Sequence, residues 1–142
     1  MDEECAFCSI ANKTAGSKIV FQDEDSLAFL DSRPVFHGHC LLVPKQHFKT
    51  IMSAPDELVE KLFKNVKLLS KAVMDAMHCD GVLLIMNNEV SQSVPHLHVH
   101  VIPRKKGEVL KGFMWPRHPY ESAAQMDTTQ QSIVEAVSRL MH

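Results

Sequence analysis

Apolar residues open the chain in short runs. Ile19-Val20-Phe21-Gln22 and Ser26-Leu27-Ala28-Phe29-Leu30 flank the acidic Asp23-Glu24-Asp25. That pattern predicts a strand, a tight turn and a second strand. Asp31-Ser32-Arg33-Pro34 closes the second run, Gly38 opens a third, His39-Cys40-Leu41-Leu42-Val43, and Pro44 ends it. Connections this short cannot cross over between parallel strands, so the order predicts an antiparallel meander.

A different period follows. Apolar residues recur at Leu58, Val59, Leu62, Phe63, Val66, Leu69, Val73, Ala76 and Met77, while Glu60, Lys64, Lys67 and Lys71 fall between them. Spacings of three and four make one apolar stripe on a long amphipathic helix. Ser53-Ala54-Pro55-Asp56 predicts its start in the manner of a capping box, and His78-Cys79-Asp80-Gly81 its end, with Gly81 as the exit residue. Val82 to Met86 reads as a buried strand, Asn87 to Pro95 as a polar loop, and His96 to Pro103 as the last strand. Ile133, Val134, Val137 and Leu140 predict a short C-terminal helix from Asp127 or Thr128 to Met141. Between Arg104 and Met126 there is little periodicity, and long loops inside compact domains are usually functional or disordered.

The chain has 142 residues, 45% of them hydrophobic, enough for one core and the size of one domain. We therefore expect a single domain over residues 1–142, with a core at 5–104 and a C-terminal loop and helix at 105–142. The formal net charge of −2 lacks the basic excess of a nucleic-acid-binding footprint. No apolar run approaches the length of a membrane span. The N-terminal Met1-Asp2-Glu3-Glu4 is acidic and unlike a targeting segment, so the expectation is a cytoplasmic protein. Its four cysteines then read as reduced thiols or metal ligands. Nine histidines are the informative excess.

Three of those histidines alternate with apolar residues in His96-Leu97-His98-Val99-His100-Val101-Ile102. On a strand, alternate residues share a face, so Leu97, Val99 and Val101 point toward the helix and the imidazoles point away. Thr, Lys or Glu would solvate a strand face equally well. Imidazole instead serves as neutral nucleophile, proton carrier or metal ligand near neutral pH, which points to chemistry.

This stretch resembles the triad motif of the histidine triad, or HIT, superfamily. Phe29-Leu30-Asp31 resembles that family's nucleoside-contacting strand end, and Gly38-His39-Cys40-Leu41-Leu42-Val43-Pro44-Lys45-Gln46-His47 its second signature. Asn87-Asn88-Glu89 with Gln92-Ser93 resembles its phosphate- and ribose-side loop, and Lys111 to Arg117, with Trp115, a tail of bacterial-type members. The resemblance implies an α+β fold, a five-stranded antiparallel sheet with one long helix and a C-terminal helix, commonly paired as a homodimer. It implies attack on the α-phosphorus of a purine nucleotide, a dinucleoside polyphosphate or a nucleoside phosphoramidate. His98 would be the nucleophile that becomes nucleotidyl-histidine and is then hydrolysed. His100 would meet the leaving group and help move a proton, with His39 as an orienter behind it. Phe29, Asp31, Asn88, Gln92 and Ser93, with His98 and His100, would hold the nucleotide. The family's transferase branch carries Gln at the third triad position; His100 stands there, which favours hydrolysis.

Cys5-Ala6-Phe7-Cys8 sits too near the N-terminus for a thioredoxin-like setting, and two thiolates at this spacing suit one edge of a tetrahedral zinc site. Two buried apolar-type cysteines are the plainer reading, and Cys40 and Cys79 could complete a four-cysteine site instead. Some HIT relatives complete such a site with histidines that match His47 and His96, which would make the zinc structural. Two further readings stand beside the hydrolase: a nonenzymatic nucleotide-binding or interaction protein, and a hydrolase that uses catalytic zinc.

Overall fold

The computed structural model describes residues 5–12, 16–108, 110 and 117–141. Close contacts divide the chain into two compact units, Met1–Glu108 and Val109–His142. The first holds a five-stranded antiparallel sheet in the order β1-β2-β3-β5-β4, formed by β1 (Ile19–Gln22), β2 (Ser26–Leu30), β3 (Cys40–Pro44), β4 (Gly81–Ile85) and β5 (Val99–Arg104). The fold is α+β. Its first three strands run as a meander; then helix α2 (Asp56–Met77) crosses the sheet, and β5 inserts between β3 and β4.

The acidic turn forms because Asp23 Oδ1 accepts the backbone N–H groups of Asp25 and Ser26, each at 2.9 Å. Asn65 of α2 reaches down to the same corner, its Nδ2 donating to Asp23 Oδ2 and Ser26 Oγ, both at 2.8 Å. One face of the sheet carries Ala28, Leu42, Leu97, Val99 and Val101 against Leu62, Val66, Leu69 and Val73 of α2. Full burial of each such aliphatic side chain contributes about 1.5–3 kcal/mol. The stripe is narrower than the pattern predicts, since Phe63, Ala76 and Met77 remain exposed. The other face has a core of its own: Leu27, Phe29, Leu41 and Val43 pack on Phe7 and Cys8 of a helical turn, α1 (Ala6–Ala11), and on Cys5, which caps it; the hydrophobic pattern does not announce this turn.

Several boundaries move. Ser53 does not cap α2; it lies in a 3-10 turn, Ile51–Ser53, where its hydroxyl bonds Thr50, and Pro55 takes the N-cap. The helix leaves through His78, which adopts the left-handed conformation at φ 52°, while Gly81 starts β4. β4 is an edge strand, half-buried rather than buried. The last strand begins at Val99, so His96 and His98 lie on the irregular approach to it, where Leu97 N–H donates to Phe48 O at 2.7 Å.

In the second unit, α3 (Ala123–Leu140) starts earlier than the periodicity suggests because Ser122 caps it, its side chain accepting from Gln125 N. Lys111 and Trp115 lie outside the described residues. Among the described residues, no helix is long and apolar enough to cross a membrane.

Candidate active site

The approach to β5 that carries His96 and His98 is covered. His98 is 2% exposed and His96 is fully buried, because α1 lies over them. Phe7 sets its ring edge-on to His98, with centroids 5.0 Å apart, and to His96 at 5.9 Å, and its other flank meets Phe29 at 5.5 Å.

The irregular approach to β5 fixes the tautomer of His98. His98 Nδ1 lies 2.6 Å from His96 O. A carbonyl only accepts, so the hydrogen sits on Nδ1 and the lone pair on Nε2. His100 packs beside it, ring centroids 5.1 Å apart. His100 Nδ1 lies 2.9 Å from Nε2 of His39, which stands one residue before β3. Asp31 Oδ2 comes within 3.5 Å of the same His39 nitrogen, and Val35 N–H donates to His39 Nδ1 at 3.1 Å. Burial is the main cause that holds His39 below its ordinary value, with Asp31 opposing, and it pushes His100 down to about 4, aided by His98 and His39.

The remaining residues sort by their bonds. Asp31 also closes its own turn, Oδ1 accepting Arg33 N–H at 2.9 Å. Asn88 Oδ1 accepts Ile51 N–H at 2.8 Å, tying the loop before the triad to the start of α2. Both ends of the Gln92 carboxamide bond backbone, Oε1 to Glu89 N and Nε2 to Lys49 O. Ser93 is exposed on that loop, and Phe29 is buried beneath Phe7. Three contributors escape sequence reading. Phe7 is one apolar residue between two cysteines, with no periodic signal, and the Val35 N–H and His96 carbonyl are backbone groups that residue type does not reveal.

A second constellation lies under the first. One ligand atom each from Cys5, Cys8, His47 and His96 fall within 4.8 Å of one another. Cys5 Sγ to His96 Nδ1 is 3.4 Å, Cys8 Sγ to His47 Nδ1 3.2 Å and His47 Nδ1 to His96 Nδ1 3.1 Å. Zinc bonds of about 2.0–2.3 Å give tetrahedral edges of about 3.3–3.8 Å, so the donor set fits zinc with little movement. His96 Nε2 donates to Pro44 O at 2.9 Å, which leaves Nδ1 as a lone pair aimed into the cluster. Burial above all, with His47 and His98 adding to it against the Pro44 carbonyl, lowers His96 to about 4, the neutral form a metal requires. Asp31, His39 and His100 also cluster. There the Val35 bond puts the hydrogen of neutral His39 on Nε2, so that nitrogen has no lone pair for an ion.

A model of the HIT domain family matches residues 12–107. The chain is 33% identical over 112 residues to an adenylylsulfatase of Arabidopsis thaliana, covering 78% of this chain and 57% of that one. It is 33% identical over 120 residues to an adenosine 5′-monophosphoramidase of Saccharomyces cerevisiae, covering 82% and 72%. Among solved structures, a HIT-family protein of Bacillus subtilis superposes with a TM-score of 0.85 at 34% identity, over 94% of this chain and 96% of that one. A zinc-bound histidine triad protein of Mycobacterium smegmatis superposes with a TM-score of 0.72 at 28% identity, over 91% and 97%.

Proposed function

The chain belongs to the HIT domain family, and from that premise we propose that it is a nucleotide phosphohydrolase working through a nucleotidyl-histidine on His98. Its relatives include hydrolases named for adenylyl sulfate and for an adenosine phosphoramidate, which supports dinucleoside polyphosphates, nucleoside phosphoramidates or related adenylated compounds as substrates. The observation that carries the reading is His98 Nδ1 on the His96 carbonyl, since it leaves Nε2 as a neutral nucleophile whose direction is fixed before substrate arrives.

Attack by Nε2 on the α-phosphorus forms the N–P bond as the bond to the leaving group breaks, and water then displaces the nucleotide. His100 Nε2 stands on the leaving-group side, with His39 and Asp31 behind it. Asp31 would accept from ribose hydroxyls through Oδ2. Asn88 Nδ2, Ser93 and the amides of the loop that Gln92 braces would hold phosphate oxygens. Phe29 would back the base pocket through Phe7.

Cys5, Cys8, His47 and His96 would hold a zinc ion. Four protein ligands make that role structural, tying α1 to the triad, rather than catalytic with a bound water. The cysteines of this set, placed as metal ligands, suit a reducing compartment such as the cytoplasm. A homodimer follows from the family resemblance.

Rapid-quench mixing with nucleotide labelled at the α-phosphate tests the reading. One leaving group per subunit should appear in a burst while label stays on the protein. His98→Asn should lose both, with nucleotide affinity changed by less than about tenfold. Turnover by the purified variant at the wild-type rate would overturn the covalent route.

A further inference from the structure

The short helix that covers His96 and His98 begins and ends its first turn on a cysteine. Cys5 is the N-cap of α1, and its sulfur accepts the backbone N–H of Cys8 at 3.5 Å. Both sulfurs belong to the group of ligand atoms that fall within 4.8 Å of one another. Residues three apart on a helical turn have Cα atoms about 5 Å apart, inside the window of about 4.4–6.8 Å in which a disulfide closes. Cys40 and Cys79 stand outside this group, their thiols bonded to the carbonyls of Gly38 and Gly81. What the pair touches reaches the site by two routes. Cys5 Sγ and Cys8 Sγ lie 3.4 and 3.5 Å from His96 Nδ1, and the His96 carbonyl holds His98. Cys8 Sγ also lies 3.2 Å from His47 Nδ1. His47 opens a strap along the loop before the triad: Phe48 O accepts Leu97 N–H, Lys49 O accepts from Gln92 Nε2, and Ile51 N–H donates to Asn88 Oδ1. Between the cysteines, Phe7 sets its ring edge-on to both His96 and His98.

We propose that Cys5 and Cys8 are a redox modification site: oxidants of the peroxide class join them in a disulfide, which breaks up the metal-binding set and displaces His98 and the loop before it. This goes beyond the nucleotidyl-histidine reading and stands on the geometry of the cluster. Both side chains are buried, and oxidant enters as α1 lifts, since a helix of six residues has little stability of its own. The sulfurs react as thiolates, the form that both ligates zinc and attacks peroxide. One thiolate attacks a peroxide oxygen, the O–O bond breaks and hydroxide leaves, giving a sulfenic acid. The other thiolate attacks that sulfur, the S–O bond breaks and a second hydroxide leaves. The pair loses two electrons and the peroxide gains them. The S–S bond of about 2.05 Å draws the sulfurs toward each other and ends their service as ligands. Of the four donors His47 and His96 remain, too few for a closed tetrahedral site. A dithiol reverses the step by exchange and restores the set.

The test adds hydrogen peroxide in steps to the purified, zinc-loaded protein. The tryptic peptide that ends at Lys13 carries both cysteines. Under non-reducing conditions it should run two hydrogens lighter, with no oxygen added at either cysteine. A chromogenic chelator should register about one zinc released per disulfide formed. The 15N–1H signal of His98 Nδ1 should move with oxidation. Dithiothreitol with added zinc should return all three to their starting values. Nucleotide turnover should fall and recover in step, by up to about a hundredfold, the scale of a misplacement of about 1 Å at a reacting atom. Cys79→Ser, a change outside the cluster, should leave each of these responses as in the wild type.

Peroxide that leaves the pair reduced, or that carries one cysteine to sulfinic acid without linkage, overturns the proposal. So does a linked pair with zinc retained, or with the His98 signal unmoved. Metal-free protein should link the same two cysteines, and its failure to do so counts equally against the pair. Protein that links Cys5 to Cys8 but turns over no nucleotide before oxidation contradicts the nucleotidyl-histidine reading alone, because peptide mass, zinc release and the His98 resonance are read without substrate.

Discussion

Lowering the pH should unfold this protein partly through His100. The group titrates near 6.5 when exposed and is pushed down to about 4 in the fold, chiefly by burial. Its folded value is the lower one, so the unfolded chain binds the extra proton across the window between them. The stability it contributes is complete above about pH 6.5 and is lost as the pH falls toward 4, with little further loss below. For those two values the loss between neutral pH and pH 4.5 is about 2.5 kcal/mol, with a slope of up to about 1.4 kcal/mol per pH unit. Urea unfolding of the wild type and of His100→Asn at steps from pH 7.5 to 4.5 measures it. Asn offers a carboxamide oxygen to the His39 N–H, so the hydrogen bond of 2.9 Å has a replacement. His39 titrates in both proteins, metal release at acid pH affects both, and each largely drops out of the difference. Between pH 7.5 and 4.5 the wild type should lose about 2.5 kcal/mol more than the variant does. Two curves that stay parallel throughout would refute a half-buried His100 held neutral.

The other expectations concern the metal cluster and two packing contacts. Purified protein should carry about one zinc per chain, and replacing Cys5 and Cys8 together with Ser should abolish it, as read by plasma emission. That double variant should lose more in thermal stability than in nucleotide affinity, since its four donors tie α1 to His96 rather than to substrate. Asn65→Ala removes two bonds of 2.8 Å at the acidic turn, one of them to a carboxylate, and should cost about 2 kcal/mol in urea unfolding without changing turnover. Gly38→Ala should cost more than about 1 kcal/mol. Gly38 sits at φ +96°, and an added Cβ would lie 2.6 Å from Met77 Cγ. Met77→Ala should recover the part due to contact and leave the part due to backbone strain.

Where the sequence carried a local signal, the fold was legible. β1 and β2 fall where the two apolar runs and the Asp23 turn put them, because apolar runs and turn chemistry are both written in neighbouring residues. The site's histidines were legible for the same reason, since alternation at 96, 98 and 100 needs only a period of two. The limits were set by long-range contacts. β4 reads as a buried strand from its continuous apolar run, yet the order of strands leaves it at an edge. Ser53 reads as a cap for α2, yet Thr50 takes its hydroxyl. His96 and His98 read as strand residues, yet bonds from Leu97 N–H to Phe48 O and from His98 Nδ1 to His96 O bend the chain before β5 begins. Those bonds pair a backbone group with a partner that sequence spacing does not specify.

One residue serves two constellations. The His96 ring points its Nδ1 into the cysteine cluster, while the His96 carbonyl, on the same residue, holds His98. Ring and carbonyl are joined by only three rotatable bonds, so a shift that relieves one must be absorbed by the other. Chelation of the proposed zinc and the proposed turnover would then not be independent observables. With the proposed zinc in that cluster, a chelator would inhibit by loosening the support beneath His98, and inhibition of that kind would mimic a catalytic metal without one. Activity lost on chelation, with the labelled intermediate still forming slowly on His98, would carry the signature of a displaced nucleophile rather than a missing Lewis acid.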